Sequence, residues 1–161
     1  MPTLITPREG AFRALQCVLA CLIALVGCGG KHISESDLVG TWVPTAESRS
    51  ILLPRAPETG AKLVLNQSGD FRSEGLPGEL LYSLPGMAHP AAVSGTGTWK
   101  IGTVDGEAAL LLTFTTIAGP NDFKVPNGTQ LLISGNGPRL LLYFFMGDPD
   151  QGDRIDFERL H

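Results

Sequence analysis

Cysteine is scarce in this chain of 161 residues, and its three copies, Cys17, Cys21 and Cys28, all lie within the first 28 positions. Downstream of Cys28 there is no thiol, which excludes disulfides, thiolate metal sites and a cysteine nucleophile from that part of the sequence. Basic clusters are lacking as well: the formal net charge is -4, and no stretch concentrates Lys or Arg. Because nucleic-acid binding needs a basic patch, the sequence predicts no DNA or RNA partner.

Catalytic and cofactor motifs are also missing. The three histidines, His32, His89 and His161, are too far apart in sequence to have the spacing of metal ligands. A Ser-His-Asp arrangement through His89 stays open, but no Gly-x-Ser-x-Gly elbow presents a nucleophilic serine, and no glycine-rich phosphate loop opens a helix. The sequence therefore predicts a protein that is not an enzyme, with no catalytic residue and no cofactor.

One acidic segment, GDPDQGD from Gly147 to Asp153, has the carboxylate density of a calcium loop. In an EF-hand loop that starts at Asp148, however, the sixth position would be Asp153 instead of Gly and the twelfth Arg159 instead of Glu. The segment is better explained as a connection between two strands, in which Asp and Gly supply turn geometry. We predict no metal site there.

The first charge-free segment, ALQCVLACLIALVG, runs from Ala14 to Gly27 behind Arg8 and Arg13. Its 14 residues fall short of the roughly 20 that span a bilayer, but they match the roughly 7 to 15 of a secretory apolar region. The segment predicts a signal peptide over residues 1–27, and the alternative is an uncleaved N-terminal membrane helix. Its end, Leu25-Val26-Gly27-Cys28, resembles the lipobox of bacterial lipoproteins.

That resemblance implies that the sulfur of Cys28 carries a diacylglyceryl group, with fatty acids such as palmitate, and that the chain is cut after Gly27. The membrane is then a partner through the lipid on Cys28, because two or more acyl chains hold a protein durably where one does not. The implied location is the bacterial cell envelope. Gly29 would favour the outer membrane, facing the periplasm, if the host has two membranes. Residues 28–36, CGGKHISES, are predicted to be the lipidated Cys and a flexible tether, and residues 37–161 the folded domain.

The remaining sequence alternates between short apolar, β-branched or aromatic runs and clusters of Gly, Pro, Asn and Asp, which is typical of an all-β domain. The predicted strands are Leu38–Val43, Ala61–Asn66, Phe71–Ser73, Ser94–Val104, Glu107–Thr115, Thr129–Ser134, Arg139–Met146 and Arg154–Leu160. Eight antiparallel strands in this length favour an up-and-down barrel, and a two-sheet β-sandwich is the alternative. Helix is predicted to be minor, with turns in Ala46–Leu53 and Glu79–Leu84.

The tripeptide Gly-Thr-Trp occurs twice, ending at Trp42 and at Trp99, but the flanking residues differ, so the copies are not an internal repeat. The first copy resembles the Gly-x-Trp motif of lipocalins and related barrels. That resemblance implies that Trp42 plugs one end of the barrel and that an Arg of the last strand, Arg159, packs across it. More broadly, Leu38 to Leu160 resembles small bacterial lipocalin-like lipoproteins.

The predicted strands carry more apolar residues than a barrel with a solvent-exposed outer face requires. In Arg139–Met146 both faces of the predicted strand are apolar, which indicates that the outer face is covered by loops or by a partner. Three long connections, 44–60, 74–93 and 116–128, are apolar enough to form a lid or a plain cover. The candidate ligand-binding residues of this lid and cavity are Leu80, Tyr82, Met87, Phe123 and Phe144. The predicted function is binding of a small apolar ligand or a protein partner. The alternative is a structural or interaction lipoprotein whose barrel is filled by side chains.

Overall fold

The computed structural model of the chain describes residues 33–52, 60–81, 92–118, 125–147, 150 and 153–161. The predicted signal peptide over residues 1–27, the predicted lipidation site Cys28, and His89 lie outside the described residues. A compact unit begins at Ile33 and continues to His161. No helix within the described ranges is both long and apolar enough to cross a bilayer.

Eight antiparallel strands form one closed barrel in which every strand pairs with its neighbours in sequence and the last pairs with the first. The strands are β1 Gly40–Pro44, β2 Lys62–Leu65, β3 Asp70–Leu76, β4 Val93–Val104, β5 Glu107–Ala118, β6 Asn127–Ser134, β7 Leu141–Met146 and β8 Asp153–Arg159. The predicted up-and-down barrel is confirmed, and the alternative sandwich is wrong.

Helix is minor, as predicted. Within the described residues, the α-helices are α1, Glu35–Leu38, and α2, Ala46–Leu52, and two 3₁₀ turns span Gly78–Leu81 and Gly137–Arg139. The helical turns expected in Ala46–Leu53 and Glu79–Leu84 correspond to α2 and to the first 3₁₀ turn.

The helix α1 lies where the sequence suggested the end of a tether and the start of a strand. Ser34 caps it, because the Ser34 backbone N–H and hydroxyl both donate to the Asp37 carboxylate, at 2.9 and 2.7 Å. The side chain of Leu38 is fully buried. The capping box and this buried side chain hold these four residues as helix.

The two ends of the barrel differ in the length of their connections. At the end that we call the hairpin end, β1 begins, β8 ends, and three short connections join the strands: 66–69, 105–106 and 135–140. At the opposite end, the loop end, the connections are 45–61, 77–92, 119–126 and 147–152. The tightest connection is Asp105-Gly106, a pair that suits a two-residue hairpin turn, and both residues have positive φ, 51° and 85°.

Aromatic rings fill the middle of the barrel, and two glycines of β4 make room for them. The rings of Phe71 and Phe114 meet edge to face, with centroids 4.8 Å apart and planes at 81°. A Cβ at Gly97 would lie 2.8 Å from the Phe71 ring, and one at Gly95 would lie 2.8 Å from the Phe114 ring. The β4–β5 register shifts between these glycines, so the bulge and the two missing side chains together allow the rings to pack.

The outer face of β7 carries Leu141, Tyr143 and Phe145, so it is apolar as the sequence indicated, and neighbouring side chains cover part of it. Tyr143 points outward, yet its side chain is only 8% exposed. The Arg154 guanidinium lies 3.8 Å from the centre of the Tyr143 ring, and Phe145 packs edge to face at 5.7 Å. The Tyr143 hydroxyl donates to Glu107 Oε2 at 3.0 Å.

Tyr143 makes the stability of the domain sensitive to alkaline pH. Burial, and then the hydrogen bond to the Glu107 carboxylate, raise the pKa of Tyr143 above its ordinary value of 10.0. In the unfolded chain the phenol ionises first, so the stabilisation is fully present below pH 10 and is lost as the pH rises through the folded pKa. We expect Tyr143→Phe to remove this part of the pH dependence, measured as the wild-type minus variant unfolding free energy from pH 8 to about 11. An unchanged difference across this range would contradict the assignment.

Candidate ligand-binding end of the barrel

The hairpin end is closed by Trp42, which is fully buried. Its indole Nε1 donates to the carbonyl oxygen of Leu38 at 2.8 Å, which ties β1 to α1. The second Gly-Thr-Trp motif has a parallel contact, because Trp99 Nε1 donates to the Asn66 carbonyl at 3.0 Å in the turn between β2 and β3. Each copy of the motif therefore places an indole against a backbone carbonyl of the hairpin end.

Trp42 and Arg159 are partners in the register between β1 and β8. The stem of Arg159 lies against Gly40, where an added Cβ would be 2.9 Å from Arg159 Cδ, and Gly40 has a φ of +144°. The Arg159 guanidinium donates to the Val39 carbonyl at 3.0 Å. Arg159 thus lies along the backbone that precedes Trp42.

At the loop end, α2 lies across the start of β8. Thr45 begins this helix, because the Ser48 N–H donates to the Thr45 hydroxyl at 3.3 Å. Ser48 is 1% exposed, and its hydroxyl accepts the Asp156 backbone N–H at 2.8 Å, which extends the hydrogen bonding of β8 beyond the end of β1. The buried Leu52 then reaches the core from α2.

The first 3₁₀ turn forms a second cover at the loop end and packs against β6 and β7. Its Leu80 and Leu81 are 5% and 8% exposed, and both belong to the core. The hydroxyl of Thr129, at the loop end of β6, donates to the Leu80 carbonyl. We call α2 and the first 3₁₀ turn together the lid.

The structure places two of the five predicted lid and cavity residues. Leu80 lies in the lid, and Phe144 is buried on β7, which the lid contacts. The others, Tyr82, Met87 and Phe123, lie outside the described residues. Sequence reasoning missed Thr129, because no pattern connects a hydroxyl to a carbonyl 49 positions away.

Few polar side chains are buried among the described residues. Ser48 and Ser73 are its buried polar residues, and the Ser73 hydroxyl already donates to the Gly95 carbonyl at 3.3 Å. Among the described residues, no buried side-chain nitrogen or oxygen lacks a hydrogen-bond partner, and no His, Cys, Asp and Glu group could hold a metal ion. A molecule held here would be recognised by shape and apolar contact.

Comparisons of the chain with models of protein families, with curated proteins and with solved structures found nothing that matches.

Proposed function

We propose that the chain is a lipid-anchored protein of the bacterial cell envelope whose barrel binds a small apolar ligand at the loop end, without catalysis. The anchor rests on the segment Leu25-Val26-Gly27-Cys28 at the end of an apolar run. The binding role rests on a single observation: one end of an apolar barrel is covered by a lid made of two short segments. Eight-stranded barrels of this kind can hold one small ligand.

The lid has the properties that a gate needs. Its polar contacts with the barrel include Thr129 to the Leu80 carbonyl and Ser48 to the Asp156 N–H. Both of its segments contribute apolar side chains to the core, Leu52 from α2 and Leu80 from the 3₁₀ turn. Opening the lid would expose the interior near the loop end, where Phe144 and Met146 of β7 are buried. A ligand with an apolar body would restore the buried contacts that opening removes.

A second function is favoured by a different observation, the packing of Phe71 against Phe114 in the middle of the barrel. Both rings are at most 2% exposed. If side chains fill the interior near the loop end as tightly, the barrel has no space for a ligand, and its outer surface would bind a protein partner instead.

Extraction and native mass spectrometry of a lipid-free chain beginning at residue 29 test the proposal, because the compact unit has its own core. We expect an apolar molecule to co-purify, and an apolar naphthylamine dye to bind after extraction. Thr129→Val removes the hydroxyl that ties the lid to β6, so it should speed dye dissociation several-fold, because a lost hydrogen bond costs about 1 kcal/mol.

Thr113→Val is the matched control, since Thr113 is exposed on the outer face of β5. It should leave dye dissociation unchanged. A chain that yields no extractable molecule and binds no dye would contradict ligand binding and favour the filled barrel.

A further inference from the structure

We infer that the hairpin end faces the membrane at close range and that the loop end, with its lid, opens toward the aqueous compartment. This inference rests on the proposed lipid anchor at Cys28. It adds an orientation to that anchor. An anchored domain could face the membrane with its hairpin end, its loop end or the side of the barrel, and the position of the chain's entry into the barrel favours one of these.

The covalent chain sets the distance. From Cys28 to Ile33, where the compact unit begins, there are five residues, and five extended residues span at most roughly 18 Å. This limit applies to any conformation of the connection. The point of attachment on the barrel therefore decides which surface lies near the lipid.

That point of attachment is at the hairpin end. Ile33 packs against the core, and α1 follows directly. Leu38 at the end of α1 accepts the indole N–H of Trp42, and Arg159 donates to the Val39 carbonyl. These two contacts fix α1 beneath the start of β1, so the chain enters the domain beside the short hairpin connections.

The length of the barrel then places the lid far from the bilayer. The seven residues of β8 extend roughly 23 Å along the strand. With the strand tilt of about 35 to 45° that barrels have, the loop end lies roughly 16 to 19 Å beyond the hairpin end. To place the lid on the lipid, the five-residue connection would have to run fully extended along the barrel and lose its conformational entropy, so the arrangement with the hairpin end toward the bilayer is favoured.

Charge adds no attraction between the hairpin end and anionic lipid. Among the described residues, the hairpin end carries the carboxylates of Glu35, Asp37, Asp70, Asp105 and Glu107, against the guanidinium groups of Arg139 and Arg159. From Cys28 onward the chain has 10 Lys and Arg against 15 Asp and Glu. Anionic headgroups attract basic segments, so they offer this end no binding energy. Only the connection to Cys28 holds it there.

The two ends of β2 provide a matched pair of positions for the test. Gln67 is exposed in the turn at the hairpin end, and Gly60 is exposed at the loop end, where an added Cβ meets nothing within 4 Å. With the sulfur of Cys28 lipidated, Gln67→Cys or Gly60→Cys introduces a single labelling site into the full-length protein. Each labelled protein is purified after processing in bacteria, checked for the lipid by intact mass, and placed in vesicles that contain headgroup-labelled acceptor lipid.

We expect energy transfer to the lipid to be several-fold stronger from position 67 than from position 60. Inserting about 20 Gly and Ser residues after Gly30 should remove most of the difference, because such a linker reaches about 25 Å on average. Equal transfer, or stronger transfer from position 60, in a protein whose mass includes the lipid would overturn the orientation and leave the anchor intact. A protein of unlipidated mass that stays off the vesicles would overturn the anchor and the orientation together.

Discussion

Replacing Trp42 with alanine is expected to destabilise the domain by about 3 to 5 kcal/mol, the usual cost of removing a fully buried tryptophan. The substitution leaves a cavity at the hairpin end and removes the donor that satisfies the Leu38 carbonyl. A domain of this size is stable by about 5 to 15 kcal/mol, so the loss is a large fraction of the total. The measurement is the unfolding free energy from urea titration of the chain beginning at residue 29.

The milder Trp42→Phe keeps most of the apolar volume but removes the indole N–H. It isolates the hydrogen bond to the Leu38 carbonyl and should cost about 1 to 3 kcal/mol. Trp99→Phe is the matched variant, because the Trp99 indole also donates to a backbone carbonyl, but 6% of that residue is exposed. Its cost should be lower. If Trp42→Ala cost less than about 1 kcal/mol, Trp42 would not be the plug of the hairpin end.

Gly97→Ala is expected to destabilise the domain by about 3 kcal/mol, the upper end of the usual cost of overpacking. The new Cβ would lie 2.0 Å from the carbonyl oxygen of Thr113 and 2.8 Å from Phe71 Cε1. A flexible side chain could move away, but the nearer atom belongs to the backbone of β5. Replacing Gly by Ala in a strand otherwise gains about 0.5 to 1 kcal/mol of chain entropy, so the clash outweighs the gain.

Gly60→Ala is the control for Gly97→Ala. Gly60 has nothing within 4 Å of its added Cβ and no positive φ, so the change should be neutral or stabilise by up to about 1 kcal/mol. Combining Gly97→Ala with Phe71→Leu separates the two contacts, because it relieves the ring but not the Thr113 carbonyl. A neutral Gly97→Ala would show that β4 can shift at its bulge without loss, contrary to the packing described above.

The barrel could be predicted because its signals are local. Each strand is a short apolar run, and Asp105-Gly106 has the turn chemistry that its φ values require. The prediction that a strand starts at Leu38 was wrong for a physical reason. A buried leucine beside Gly-Thr-Trp fits either a strand or the last turn of a helix, and the capping box at Ser34 stabilises the helix. The glycines of β4 looked like ordinary strand residues, since only the folded register brings Phe71 over Gly97.

The candidate site was less predictable than the fold, because its contacts join segments that are distant in sequence. The apolar content of the long connections pointed to Leu80, and its burial is visible in the structure. The hydroxyl that ties it in place, on Thr129, becomes a neighbour only when β6 joins the sheet. Contacts between distant segments leave no periodic or compositional trace in a single sequence.

The pairing of β1 with β8 also affects how the chain folds. Every other strand pair joins neighbours in sequence, whereas Trp42 and Arg159 are 117 positions apart. Loop-closure entropy therefore opposes this pair most strongly, and we expect it to form last, after the meander from β1 to β8. Until it forms, β1 and β8 are open edges that another chain can extend. The residues that close the hairpin end therefore also protect the newly folded chain from aggregation.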